Sequence, residues 1–267
     1  MDIRYIDAHC HIQFEQYDED REELVEEMRR EGIAAIVVGC DYASSQKAVA
    51  LAEKHEHLFA AVGIHPTDTD ELFDKDTFRV LAKHPKVVAI GECGLDFFRS
   101  GAVDAQEKKR QIMLCGEHIE LAAELSKPRI IHARPSKGTM DAYHEIAPLL
   151  QKAKQRYPSL RGDMHFFVGG VREAVLFTNL EFTLSFTAVL TFARDYDEVI
   201  RRMPLESLLA ETDSPYVAPQ GRRGKRNDPL SVVDVALKIA ELRAEDPDIV
   251  RRTLLGTTGK LFRLGYD

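Results

Sequence analysis

Two histidines one residue apart, His9 and His11, close an apolar segment running from Tyr5 to His9 that reads as a strand. Alternate residues of a strand share a face, so both imidazoles can be aimed at one cation, with Asp7 before them on that face and Cys10 turned away into packing. Three further histidines end other apolar segments: His65, His132 after Arg129-Ile130-Ile131, and His165 after Gly162-Asp163-Met164. Two carboxylates join them. Glu92 sits in Ile90-Gly91-Glu92-Cys93-Gly94-Leu95-Asp96, where the glycines let the chain turn tightly around a bridging acid. Asp213 sits in Ala210-Glu211-Thr212-Asp213-Ser214-Pro215-Tyr216, where Pro215 stops strand pairing and leaves the acid at a rim. Any one of these residues alone reads as a buried imidazole bonded to a carbonyl, or as a solvated turn carboxylate. Their recurrence at strand ends points instead to one shared site. Four imidazoles (His9, His11, His132, His165) with Glu92 and Asp213 make a mixed nitrogen and oxygen set that suits Zn, Mn, Co or Mg, unlike the cysteine-rich cage of a structural zinc.

A site assembled from such distant segments needs a scaffold that gathers strand ends. Short apolar runs alternate with helical stretches along nearly the whole chain: Tyr5 to His9, Ala34 to Cys40, Phe59 to His65, Val87 to Glu92, Arg129 to Ala133, Asp163 to Phe167, Glu181 to Phe186 and Leu208 to Glu211. Between them, Glu19 to Arg30, Gln46 to Lys54 behind a Ser44-Ser45 cap, and Asp104 to Leu125 carry helix signals. Eight strands predict an α/β fold of the TIM-type (β/α)8 barrel class, with room for distortion, as a single domain over 1–267. An open doubly wound sheet fits the same alternation; the placement of reactive residues at carboxyl ends favours the barrel. The other histidines, His55, His57, His84, His118 and His144, fall in or beside helices and are expected to face solvent or bond locally.

The chain has 267 residues, 44% hydrophobic and 30% charged, with 36 basic and 44 acidic side chains for a net charge of −8. That composition excludes a disordered, collagen-like or disulfide-scaffold protein and argues against one that coats nucleic acid non-specifically. Cys10, Cys40, Cys93 and Cys115 form no C-x-x-C pair and read as free, packed thiols of a reducing compartment. The longest apolar run, Ile33 to Val38, is too short for a membrane span, and the first residues lack the pattern of a signal peptide. A cytoplasmic protein is expected. One irregular polar loop, Ala218 to Pro229, gathers Arg222, Arg223, Lys225 and Arg226 just past Asp213, and these are expected to meet substrate phosphate. No regular aromatic series interleaves with them, which leaves base stacking unsupported.

Taken in order, the motifs Asp7-Ala8-His9-Cys10-His11, Gly63-Ile64-His65-Pro66, Gly91-Glu92-Cys93-Gly94-Leu95-Asp96, Ile131-His132-Ala133-Arg134, His165-Phe166-Phe167-Val168-Gly169 and Glu211-Thr212-Asp213-Ser214-Pro215-Tyr216 resemble the TatD family of metal-dependent hydrolases, within the amidohydrolase-like barrels. The resemblance runs from Asp7 to the stretch Gly224 to Pro229. It implies two metals, one surrounded by His9, His11, Glu92 and Asp213 and the other held by Glu92, His132 and His165. It also implies deoxyribonuclease or related phosphoesterase activity of a 3′-exonuclease-like kind on DNA. Val168 replaces the family's small polar residue, which touches phosphate positioning, and Gly256 replaces its Asn, which is expected to touch only packing. Two metals would lower the pKa of a water from about 15.7 toward 7 and stabilise a developing phosphoryl charge. In that chemistry Glu92 bridges, Asp213 orients or deprotonates the water, His65 touches the phosphate and Arg134 binds a phosphate oxygen. The same site could open a carboxylic ester or amide, such as a D-aminoacyl-tRNA; a metal-binding or partner-binding barrel with lapsed chemistry would show a missing ligand.

Overall fold

The computed structural model describes residues 2–69, 72–98 and 104–266. Eight strands, β1 (Tyr5–Cys10), β2 (Ile33–Val38), β3 (Leu58–Val62), β4 (Val87–Asp96), β5 (Arg129–Arg134), β6 (Gly162–His165), β7 (Phe182–Phe186) and β8 (Leu208–Ala210), pair in parallel in chain order. Helices follow them in turn: α1 (Arg21–Glu31), α2 (Tyr42–Lys54), α3 (Lys75–Ala82), α4 (Ala105–Glu124), α5 (Asp141–Arg156), α6 (Val171–Thr178), α7 (Asp197–Arg202) and α8 (Val232–Arg243), with α9 (Pro247–Phe262) last. Each of the eight apolar segments of the sequence holds a strand. The sheet curls into a barrel that closes just beyond β8. There Cys10 bridges Ser214, the Asp213 amide donates to the His9 carbonyl at 2.9 Å, and the His11 amide donates to the Ser214 carbonyl at 2.8 Å. The buried Asp7 carboxylate stitches the same seam by accepting from the Thr212 amide at 2.9 Å and the Thr212 hydroxyl at 2.5 Å. The seam therefore carries His9, His11 and Asp213 to one place.

Alternation along β2 shows how the layers are built. Ala35 and Val37 face the helices, whereas Ala34, Ile36 and Val38 join Ile6, Ala8, Ala61, Ala89, Ile130 and Leu209 in a second cluster that Leu261, Phe262 and Leu264 at the chain end close off. Small alanines occupy that inner layer, where the strands converge. Among the described residues no helix is long and apolar enough to cross a membrane.

Three local expectations change. The stretch after Glu92 is strand and not turn, because Gly91 and Gly94 both adopt φ +147° and press against β5: an added Cβ would stand 2.4 Å from the Ile130 carbonyl oxygen and 1.9 Å from that of His132. That close approach keeps β4 paired with β5 through Asp96 and Arg134. The helix after β2 begins earlier than the serines suggest: Asp41 caps it by accepting from the Ser44 amide at 2.5 Å, and Ser44 reciprocates as the third helical residue. An added Cβ at Gly256 would meet nothing within 4 Å, so the family departure there bears on helix propensity and leaves packing untouched.

His57 and His118 are buried; His118 bonds locally, one of the two expected outcomes, whereas His57 does neither. His57 bonds the Val25 carbonyl across the helix layer. His118 on α4 donates from Nδ1 to the Leu114 carbonyl at 2.8 Å and accepts at Nε2 from the Ile64 amide at 3.0 Å, which fixes a neutral tautomer beneath His65. Burial lowers its pKa to about 4, below the usual 6.5. The unfolded chain then takes up the proton first. The stability this group contributes is complete above about pH 6.5 and is lost as pH falls toward 4, up to about 3 kcal/mol. Denaturant titrations of the wild type and His118→Gln at pH 7.5 and 4.5 should show a larger acid loss in the wild type; equal losses would refute this.

Candidate metal centre

The five strand-end histidines and both carboxylates meet at the carboxyl end of the barrel, where a cavity of about 770 Å³ opens. Glu92, from β4, is its hub. One carboxylate oxygen, Oε2, lies 3.5 Å from His9 Nε2, while Oε1 lies 2.6 Å from His132 Nδ1 and 3.7 Å from both His65 Nε2 and His165 Nε2. Asp213, from the closing segment, places Oδ1 3.4 Å from His11 Nε2, 3.8 Å from His165 Nε2 and 4.0 Å from His9 Nε2. His9 and His11 present Nε2 to Nε2 at 3.1 Å, as the strand spacing requires. Two ligand atoms each about 2.1 Å from one ion, at angles near 90–110°, stand about 3.0–3.4 Å apart, so this head-on pair has the spacing of a shared cation. The His9 Nδ1 is buried without a hydrogen-bond partner.

The outer nitrogen of most rings is anchored, and the anchors fix which nitrogen faces the site. His11 Nδ1 donates to the Val38 carbonyl at 2.7 Å, and His165 Nδ1 donates to Glu211 Oε2 at 2.9 Å. Each therefore turns Nε2 inward. His132 is reversed: Nε2 bonds Asp96 Oδ2 at 3.1 Å and Nδ1 faces Glu92. His65 differs from them all. Its Nδ1 lies 2.7 Å from the Thr67 hydroxyl and 3.2 Å from the Thr67 amide, which turns Nε2 toward the cavity and Glu92.

Charge and burial set the protonation. Burial alone would raise the Glu92 pKa, but the cationic forms of His65 and His165 and hydrogen bonds from His132 and His9 hold it well below the usual carboxylate range. Asp213 is likewise lowered, because the bond from His11 and the charges of His165 and His9 outweigh burial. Against burial, Glu211 and Glu92 push His165 up to about 10, Asp96 and Glu92 raise His132, and Cys40 and Asp213 raise His11. Burial and the neighbouring His165 lower His9. The pocket thus favours added positive charge. Three cavity residues, Phe166, Asp213 and Val217, hold φ of 47°, 51° and 55°, a region that costs a non-glycine residue about 1–2 kcal/mol and concentrates at functional sites.

Four side chains the sequence reading passed over bear on the site. Glu211 clamps His165 and also accepts from the Phe166 amide at 2.7 Å; its spacing of two from Asp213 is the signal that His9 and His11 already carried. Asp96 braces His132, and buried Asn227 donates to the Thr212 and Val217 carbonyls, pinning the segment that bears Asp213. Cys40, read as a packed thiol, lines the cavity with Sγ 3.8 Å from His11 Nδ1, and burial raises its pKa. Cys10 and Cys93 face the Ile36 and Ile130 carbonyls, away from the donors. Arg134 lines the cavity, its guanidinium 4.2 Å from the Phe98 ring centre, and Val168 lines it too.

The basic loop lies apart from the cavity. Arg222, Arg223, Lys225 and Arg226 are not among the residues lining the cavity. Carboxylates nearer at hand take two of them: Arg222 pairs with Asp228 at 2.8 Å, and Arg226 pairs with Asp20 at 2.5 Å while lying over the Tyr17 ring. Arg223 stacks over Phe192 at 4.3 Å. Aromatic rings are also present after all, since Phe14, Phe166, Tyr196 and Tyr216 line the cavity from four separate loops that no linear series reveals.

A parallel barrel with nitrogen and oxygen donors converging at its carboxyl end defines the class of metal-dependent barrel hydrolases. The model of the family described as TatD related DNase matches residues 6–263. The chain belongs to that family and is a metal-dependent hydrolase. It is 35% identical to the uncharacterized metal-dependent hydrolase YabD of Bacillus subtilis over 97% of this chain and 98% of the relative. It is 30% identical to the 3′-5′ ssDNA/RNA exonuclease TatD of Cronobacter sakazakii over 96% of this chain and 97% of that one. The crystal structure of the TatD homolog YjjV from Escherichia coli superposes with a TM-score of 0.88 at 30% identity, covering 98% of this chain and 99% of that chain.

Proposed function

We propose that the protein hydrolyses phosphodiester bonds of DNA as a 3′-exonuclease-like enzyme, with two divalent cations held by His9, His11, His132, His165, Glu92 and Asp213. The observation that carries this reading is the division of Glu92, whose Oε2 faces His9 while Oε1 faces His132 and His165. A carboxylate with an imidazole group on each oxygen fits a bridge between two ions. The donors are nitrogen and oxygen, and the rings of His11, His132 and His165 are anchored at their outer nitrogens, a set that Mg, Mn, Zn or Co accepts. Bound cations would lower the pKa of a water and offset charge developing on a phosphoryl oxygen.

The chain's own residues do the rest. Asp213, ionised and beside His11, orients the attacking water and accepts its proton. His65 directs Nε2 toward the cavity as a donor to a phosphate oxygen. Arg134, steadied on Phe98, offers a planar fork to the same group. The relative named as an ssDNA/RNA exonuclease supports the choice of bond.

The test is nucleotide release from single-stranded DNA with Mg or Mn, with and without EDTA, beside p-nitrophenyl phosphodiesters, carboxylic esters and charged tRNA. DNA and phosphodiester hydrolysis abolished by EDTA and restored by Mn is expected. Turnover of carboxylic esters or charged tRNA alone would replace the phosphodiester reading, and metal binding without turnover of any substrate would revive the lapsed barrel.

A further inference from the structure

How much of a nucleic acid strand the site reads is set by what lines it. Among the described residues Arg134 is the only lysine or arginine lining the cavity. Proteins that track a strand neutralise several phosphates in succession with a basic groove. Of the four loop cations, none lines the cavity: Arg222 and Arg226 are held by Asp228 and Asp20 and Arg223 lies over Phe192, and the chain carries a net charge of −8. A cavity of about 770 Å³ is in the range that encloses one small ligand. A polymer fits it only by an end.

The rim offers a different kind of contact. Tyr216, three residues beyond Asp213, is 47% exposed, and its ring meets His11 edge-on at 6.4 Å. Phe14 lies flat on the same imidazole, 4.7 Å between centres at 7°. Phe14 is thus committed to His11, while Tyr216 keeps a free aromatic surface beside the acid assigned to the water. Stacking of a base on such a ring is indifferent to sequence and contributes about 1–3 kcal/mol.

We propose that the cavity takes only the terminal one or two nucleotides of a strand, with a base stacked on Tyr216, so that a dinucleotide is as good a substrate as a long chain. This rests on the phosphodiesterase reading above. The bond broken is the same phosphodiester, with water as the only co-reactant.

The experiment measures kcat/KM per chain end for a dinucleotide, a tetranucleotide and a strand of about thirty residues across a salt series, with affinity for a phosphorothioate-linked dinucleotide as a second readout. The expected result is kcat/KM within about threefold across lengths and a log–log salt slope of about −0.7, as one cationic contact with a single strand dictates. Tyr216→Ala should raise KM and weaken phosphorothioate binding about tenfold, and Tyr216→Phe should restore both. A rise of tenfold or more with length, a slope steeper than about −3, or Tyr216→Ala binding like the wild type would overturn the proposal while DNA cleavage kept the phosphodiesterase reading intact. Hydrolysis of bis(p-nitrophenyl) phosphate without cleavage of any oligonucleotide would overturn this proposal together with the DNA substrate and leave only phosphodiester hydrolysis standing. Inertness toward both would overturn both.

Discussion

Glu92→Gln is expected to lower kcat by about a thousandfold or more and to weaken divalent cation binding at the same time. The size follows from position. Both oxygens of Glu92 are engaged by imidazoles from four different strand ends, and the whole side chain is buried. Glutamine keeps the shape and removes the charge around which the four imidazoles gather. The check is steady-state turnover of bis(p-nitrophenyl) phosphate with Mn, run beside a melting curve that shows the variant folded. Turnover within tenfold of the wild type would remove Glu92 from the centre of the site.

The second large effect concerns Asp213. Asparagine at this position should reduce kcat by about 10²–10⁴-fold at saturating metal, the range ascribed to a positioned general base. The backbone gives this variant its value as a test. Asp213 adopts φ 51°, and asparagine is among the few residues that enter that region readily, so the exchange removes a proton acceptor while leaving the closing segment in place. Alanine would confound the two. An Asp213→Asn enzyme with unaltered kcat at saturating Mn would show that the water gives its proton to another group.

Much of this was legible before any coordinates. The strand ends could be read from apolar runs, and the six side chains that converge from residue types that recur there, because a parallel barrel collects its strand ends on one rim whatever their separation in sequence. What stayed hidden depends on relations between segments. Glu211 and Asp96 matter through the rings they anchor, and nothing local marks them as partners of His165 and His132. Charge density in the basic loop says nothing about which carboxylates fold beside it; Asp20, some two hundred residues away, takes Arg226. The local bond of His118 to Leu114 was within the reading, but its second bond, from the Ile64 amide, joins segments that nothing local connects. The glycines around Glu92 were read as a turn, while their use is to let β4 and β5 approach closely enough to set Glu92 against His132.

Calorimetric titration of the metal-free protein with Mn tests the central claim most directly, in parallel for the wild type and Glu92→Gln. Two ions bound per chain, with both sites weakened together in the variant, is the expected result. A wild type that binds no ion at the site, or a variant whose isotherm matches the wild type, would contradict the account.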